Sequence, residues 1–241
     1  MNFVGVDGCK SGWFAIELNE TNKFKIELFA NISDLWQKYN ENSIILIDIP
    51  IGLRENYPKG RSCDLEARKV LGSPRRNSVF PVPCRQAIYE HTYESACTVN
   101  EKHFGNKISI FAWRIVPKIR EVDAFLLKNE SARSQILEIH PELCFCNLAG
   151  KPMHYSKKKK DGIAERLEVL KQVCPSTNEI FSSSLSRYKR KEVARDDILD
   201  ALSAAVTAKL GHKHGFTSIP ENSEFDPKGL PMQMVYFSNR M

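Results

Sequence analysis

The hydrophobic pattern starts as a strand at the first residues. Asn2–Val6 is short and rich in β-formers, and Gly8 and Gly12 permit a tight turn after it. Trp13–Leu18 and Lys25–Phe29 follow, separated by the turn-forming stretch Asn19–Asn22, which predicts an antiparallel meander of three strands. Ser33–Tyr39 reads as a helix: Ser33 is a candidate N-cap, and Leu35, Trp36 and Tyr39 recur at helical spacing. Ser43–Ile49 is a nearly continuous apolar run closed by Pro50 and Gly52, the pattern of a strand buried on both faces of a parallel or mixed sheet.

Downstream the period changes to that of helices. Cys63–Leu71 is a short helix closed by Gly72, and Asn77–Pro83, with two prolines among apolar residues, is an irregular crossing or an edge strand. Tyr89–Glu101 and Ser109–Lys128 are helical, the second amphipathic through Ile110, Phe111, Ile115, Ile119, Val122 and Leu126. Ile136–His140 is a strand stopped by Pro141. Gly162–Val173 and Arg195–Lys209 are helices, and Met234–Phe237 is a final strand or edge. Gly150–Asp161 and Gly215–Leu230, polar and carrying Pro or Gly, are the least structured stretches. The expected organisation is one domain over residues 1–241, with a helical insert over about residues 60–130 between two core strands.

Bulk properties narrow the class. With 42% hydrophobic and 27% charged residues in 241, a substantial core is available and global disorder is excluded. The longest apolar runs fall far short of the roughly 20 residues that span a bilayer, so no membrane association is expected. The N-terminus has neither a basic nor a long apolar segment, so it does not read as a secretory signal. Seven dispersed cysteines are not a disulfide framework, and reduced, mostly buried thiols are expected. Cys144 and Cys146 lie two apart, which in a strand puts them on one face, and no second Cys/His pair has zinc spacing. These features predict a cytoplasmic protein. Oligomeric state is not readable from them.

The net charge of +6 permits contact with polyanions. Basic residues cluster at Arg75-Arg76, Lys157–Lys160 and Arg187–Arg195. Each cluster is either a solvated surface or part of a nucleic-acid contact.

The candidate chemistry lies in carboxylates. Asp7 ends the first strand in VGVDGC, and Asp48 ends the buried strand in IILIDIP. A buried carboxylate must be paired, hydrogen-bonded or bound to a cation, and ligands of open α/β sheets bind beyond the carboxyl ends of strands. In RDDILDALSAA, Asp197 and Asp200 are three apart on a helix and project from one face. The alanines beside them form a surface that can lie close to a sheet. Asp196 and Asp197 can equally complement the helix dipole. Strand alternation places Glu138 with His140 on one face, so Glu138 is either a further ligand, with His140 or Glu142 near the strand end, or a paired structural acid.

Such a set suits Mg²⁺ or Mn²⁺, hard cations that take carboxylate and phosphate oxygens. Two ions about 3.5–4 Å apart can activate water and stabilise the leaving oxygen of an in-line displacement. In that arrangement Asp7 would bridge both ions, Asp48 would hold one, and Asp197 with Asp200 would hold the other.

Six ordered motifs, VGVDGCKSGW, IDIPIGL, RxCDxxAR, VFPVPCR, EIHPELCF and DDILDAL, resemble the family called domain of unknown function 429, described as predicted nucleases of ribonuclease-H-like fold. The resemblance runs over about residues 3–210, and DDILDALSAA is also similar to the final acidic helix of RuvC-type Holliday junction resolvases. It implies an α/β fold, a ribonuclease-H-like mixed five-stranded sheet flanked by helices with a helical insert. It also implies a metal-dependent nuclease hydrolysing phosphodiester bonds in nucleic acid or another phosphoester, with Asp7, Asp48 and the Asp197/Asp200 pair at the matching positions and Glu138 as a further acid. The segment around Arg61, Cys63, Asp64 and Arg68 and the VFPVPCR stretch lie outside the minimal resolvase pattern.

Arg61, Arg68, Arg75, Arg76 and Arg85 are candidate phosphate contacts, since guanidinium forks match phosphate oxygens, and Lys10 and His140 are further candidate substrate contacts. Salt bridges within the insert are the better account of Arg61 and Arg68. Cys9, beside Asp7, lacks a paired base and reads as a small buried residue rather than a nucleophile. Two rival readings use the same residues. One is a non-catalytic nucleic-acid or nucleotide-binding module that keeps the fold. The other is an actin- or sugar-kinase-type phosphotransferase, against which stands the absence of an internal repeat.

Overall fold

The computed structural model describes residues 1–56 and 60–238. Its centre is a five-stranded mixed sheet built from β1 (Asn2–Cys9), β2 (Gly12–Asn19), β3 (Phe24–Phe29), β4 (Ser43–Ile47) and β5 (Ile136–Glu138), in the order β3-β2-β1-β4-β5. The first three strands form the expected antiparallel meander. β4 then returns parallel to β1, pairing Val6 with Ile47, and β5 extends the parallel side, pairing Ile47 with Glu138. This α/β arrangement, flanked by helices, agrees with a ribonuclease-H-like fold.

Each strand alternates between two cores, as the two-residue period requires. Phe3, Phe14, Ile16 and Leu46 pack on one face with residues of α9 (Arg195–His214), α7 (Lys160–Val173) and α8 (Thr177–Arg187). Val4, Val6, Ile45, Ile47 and Ile136 pack on the other with α1 (Ile32–Tyr39) and α5 (Ile110–Lys128). Asp7 and Asp48 continue the Phe3 and Leu46 series, so alternation turns both toward the α9 face.

α9 lies directly on that face because both surfaces are small. A methyl group on Gly5 would stand 2.0 Å from the carbonyl oxygen of Ala201 and 2.2 Å from the amide nitrogen of Ala205. Ala201, Ala204, Ala205 and Ala208 are fully buried along this contact.

The helical insert between β4 and β5 comprises α2 (Ser62–Arg75), α3 (Arg85–Ile88), α4 (Tyr93–Phe104) and α5. Gly72, at φ 58°, breaks α2 where the sequence placed its end. α4 starts four residues later than predicted, with Thr92 accepting a hydrogen bond from Ser95 N. Ser109 caps α5 as the pattern implies.

Several expectations fail for local reasons. Asn31, not Ser33, caps α1, its side chain accepting from Asp34 N. The strand expected to reach His140 stops at Glu138, because Pro141 at the first helical turn opens α6 (Pro141–Ala149) instead. Cys144 and Cys146 therefore lie on a helix. None of the seven cysteines is in a disulfide, and all are buried. Residues 217–225, expected as loop, form β6 (Thr217–Phe225), which pairs antiparallel with β7 (Pro231–Tyr236), the final strand expected at Met234–Phe237 and here starting three residues earlier. Asp226 holds their connection, accepting from Lys228 N at 2.8 Å and Leu230 N at 3.0 Å. No described helix is long and apolar enough to cross a membrane.

Candidate functional site

At the carboxyl ends of the central parallel strands, the register that pairs Val6 with Ile47 sets Asp7 and Asp48 side by side. Asp48 N continues the ladder by donating to Val6 O at 3.0 Å. Above them, the close contact of Gly5 with α9 brings the first turns of that helix down onto the strand ends. Asp200 is 2% exposed and Asp7 8%. Asp197, half-buried, accepts from Ala194 N at 2.7 Å, so it caps its own helix while facing the same group.

A fifth acid comes from α6. Glu142 is buried, one oxygen accepts from Arg166, and Oε2 has no hydrogen-bond partner. Asp200 likewise has a buried Oδ1 without a partner. Unpaired buried carboxylate oxygens are costly, so two in one site mark a place lacking positive charge.

The electrostatics agree. Burial, then the charges of Asp48, Asp197 and Asp200, hold the Asp7 carboxyl well above the ordinary aspartate range. Burial and then Asp200 push Asp48 up to about 8. Burial raises Asp197 to about 6 and also raises Asp200, against the opposing charge of Lys157. The four aspartates chosen from the sequence thus share one field.

Lys157 is the residue that sequence reading missed. Its ammonium bonds the Oδ2 side of Asp200, and its field also acts on Asp7, Asp48 and Asp197. Read as one of a run of surface lysines, it instead dips into the acidic group from the segment before α7. That segment is anchored. Glu165 accepts from His154 N and Tyr155 N, at 2.8 and 3.0 Å, and the fully buried Arg166 donates to Tyr155 O and Glu142. Lys118 of α5 approaches from the other side, its Nζ 4.1 Å from the centre of the Trp13 ring and its charge acting on Cys9 and Asp7.

Glu138 departs from expectation. Because β5 alternates, Glu138 shares the face of Ile136, away from α9. Arg61 donates to both of its oxygens at 2.7 Å, Ile51 N donates to Oε2 at 2.6 Å, and the same guanidinium holds Asp64. Cys63, Asp64 and Glu138 are the acids and thiol whose donor atoms crowd most closely among the described residues, within 4.8 Å. The place a cation would take among them is filled by Arg61. Glu138 is the paired structural acid, and Glu142 is its replacement on the α9 side.

The proposed substrate contacts divide. Arg85 is buried between Asp123 and Asp226, an internal ion pair rather than a phosphate contact. Arg68 donates to Val79 O at 2.7 Å. Arg76 and Lys10 face solvent, and Arg75 reaches Tyr155 O, in the segment that carries Lys157. His140 lines a cavity of about 20 Å³ with Asp48, room for one water. Its Nδ1 is buried without a partner, and burial followed by Lys157 lowers the imidazole to about 4. The Cys9 thiol bonds Gly12 O and is pushed up by burial, as an inert cysteine should be.

Beside the acids, a groove of about 350 Å³ is lined by Lys157, Lys158, Lys160, Arg190 and Arg195, with Asp196 as its one acid. Among the described residues, Lys158, Lys160, Arg190 and Arg195 have no carboxylate partner. Lys157 belongs to both the groove and the acidic group.

The chain matches the family described as Protein of unknown function (DUF429) over residues 5–224. No curated protein and no solved structure matches it.

Proposed function

The chain belongs to the DUF429 family, and we propose that it is a divalent-cation-dependent phosphodiesterase of the ribonuclease-H-like superfamily, acting on nucleic acid. The single observation that carries this reading is the shared field of Asp7, Asp48, Asp197 and Asp200, with the buried, unpartnered Oδ1 of Asp200 inside it. The chemistry of the residues suits a hard cation such as Mg²⁺ or Mn²⁺: oxygen donors only, more negative charge than Lys157 balances, and no hydrogen bond to complete the oxygen of Asp200. With Lys157 among them, no three of these acids bring donor atoms within 4.8 Å of one another, so a cation would have to draw them together. When bound, such a cation supplies Lewis-acid activation of water and neutralises the charge that develops on a phosphodiester.

The chain's own residues do the rest. Asp7, Asp48 and Asp200 hold the cation, with Glu142 and Asp197 adding negative charge behind them. His140 stays neutral at neutral pH, so its free Nδ1 can accept a hydrogen bond from water beside Asp48. Lys158, Lys160, Arg190 and Arg195 bind phosphates of a strand running past the site, the sequence-independent part of nucleic-acid affinity. The groove favours a polymeric substrate over a small phosphoester, because it sets several unpaired cations beyond the acids themselves.

The test is a panel of single-stranded, duplex, hybrid and branched nucleic acids incubated with Mg²⁺ or Mn²⁺. Cleavage abolished in Asp7→Asn and Asp48→Asn supports the reading. Metal-dependent binding without cleavage of any substrate points to a non-catalytic module, and phosphate transfer from a nucleotide without cleavage points to a phosphotransferase.

A further inference from the structure

Five acids in one site suggest two cations, the arrangement the carboxylate spacing in the sequence implies. The structure has already put one positive charge there. We propose that Lys157 is the fixed second cation of this site, so that it binds one divalent ion where its acids alone would take two. This rests on the cation-dependent reading above and specifies its stoichiometry.

The geometry is that of a built-in group. The ammonium bonds one oxygen of Asp200, and the other oxygen stays buried and unpaired, leaving one coordinating atom of Asp200 free. The charges acting on Lys157 are, in order, Asp200, Asp48 and Asp7, the same acids a second ion would use. Its backbone is held from several directions. A methyl group on Gly162 would stand 2.0 Å from Ser156 O, so only a glycine lets α7 pack against the residue before Lys157. Lys159 N donates to Ser156 O at 2.9 Å. Arg166 ties the segment to Glu142, a member of the acidic group itself. A lysine on a solvated run needs none of this. A second ion would have to displace the Lys157 ammonium from Asp200, whereas one ion taken up by Asp200 Oδ1 need not. The outward side of Lys157 opens on the cationic groove. The same ammonium can therefore face a substrate phosphate, where a second ion would otherwise stand.

Mn²⁺ titration of the full chain by calorimetry, with electron paramagnetic resonance of the saturated protein, decides the question. Wild type is expected to bind one Mn²⁺ with a mononuclear spectrum. Lys157→Gln is expected to bind two, with an exchange-coupled spectrum, and Lys157→Arg, which keeps the charge, to stay at one. Lys157→Met replaces the glutamine variant if that variant does not fold, and is read in the same way. Two ions in wild type, or one ion in the charge-removing variant, overturn the inference while leaving the cation-dependent reading in place. No Mn²⁺ bound by any form overturns both.

Discussion

Gly5 and Ala201 touch backbone to backbone, and this contact positions the site. With no side chain on Gly5, α9 descends until the space for a methyl group would lie 2.0 Å from Ala201 O. One residue before Ala201 is Asp200, and two residues after Gly5 is Asp7. The contact therefore fixes the height of the helix acid above the strand acid.

Gly5→Ala should be strongly destabilising, since the colliding atoms are backbone and cannot rotate away. Overpacking of this kind costs about 1–3 kcal/mol or more, a fall in Tm of roughly 2–12 °C for a chain of this length. Thermal unfolding followed by circular dichroism checks it. An unchanged Tm would mean that the helix does not approach the sheet as closely as described.

Stability without divalent cations should decline as pH rises. A carboxyl raised in the folded state stabilises below its unfolded value, and that contribution is lost as pH climbs through the folded value. For Asp48 the window runs from the ordinary aspartate range up to about 8, and Asp7 and Asp200 shift in the same direction. His140, lowered to about 4, acts with the opposite sign but only below its unfolded value near 6.5. Between pH 6.5 and 8.5 the acids dominate, and Tm in chelator should fall by roughly 3–6 °C. Asp48→Asn should flatten that slope and raise Tm at pH 8.5. A Tm that climbs over this range in wild type would contradict the raised values.

Glu138→Gln separates structural from coordinating acids. Weakening a buried ion pair by removing one charge costs about 3–5 kcal/mol, so Tm should drop by several degrees while Mn²⁺ affinity of the folded protein stays within about threefold. A tenfold loss of Mn²⁺ affinity would return Glu138 to the coordinating set.

The cationic groove should govern nucleic-acid binding without governing cation binding. Lys158→Ala, Arg190→Ala and Arg195→Ala should each weaken single-stranded nucleic-acid affinity and reduce the slope of log affinity against log salt by about 0.7 per lost phosphate contact. Fluorescence anisotropy at several salt concentrations measures this. Unaltered slopes in all three variants would remove the groove from the substrate path.

Much of this was legible in the chain. The apolar run of β4 and the alternation of β1 announced a mixed sheet, and aspartates at their ends, with two more three apart on an alanine-rich helix, announced the acidic group. What stayed hidden depended on tertiary contacts. Glu138 and Glu142 lie four residues apart, and which one faces α9 turns on Pro141 starting a helix one residue after His140. Lys157 looked like its neighbours Lys158–Lys160, because nothing local records that Arg166, Glu165 and Gly162 hold its segment against α7. Arg85 looked like a phosphate ligand because its partners Asp123 and Asp226 are distant in sequence. β7 was foreseen at Met234–Phe237, but its partner β6 escaped notice, since their pairing is settled by Asp226 and neighbouring packing rather than by a strong alternating pattern.

The most direct test of the shared acidic site is a calorimetric Mn²⁺ titration of wild type beside Asp7→Asn and Asp48→Asn, each first shown to be folded. The account predicts saturable binding in wild type and at least a tenfold loss of affinity in each variant, although the two aspartates sit on different strands. Wild-type affinity retained in both variants, or no binding by wild type, would contradict it.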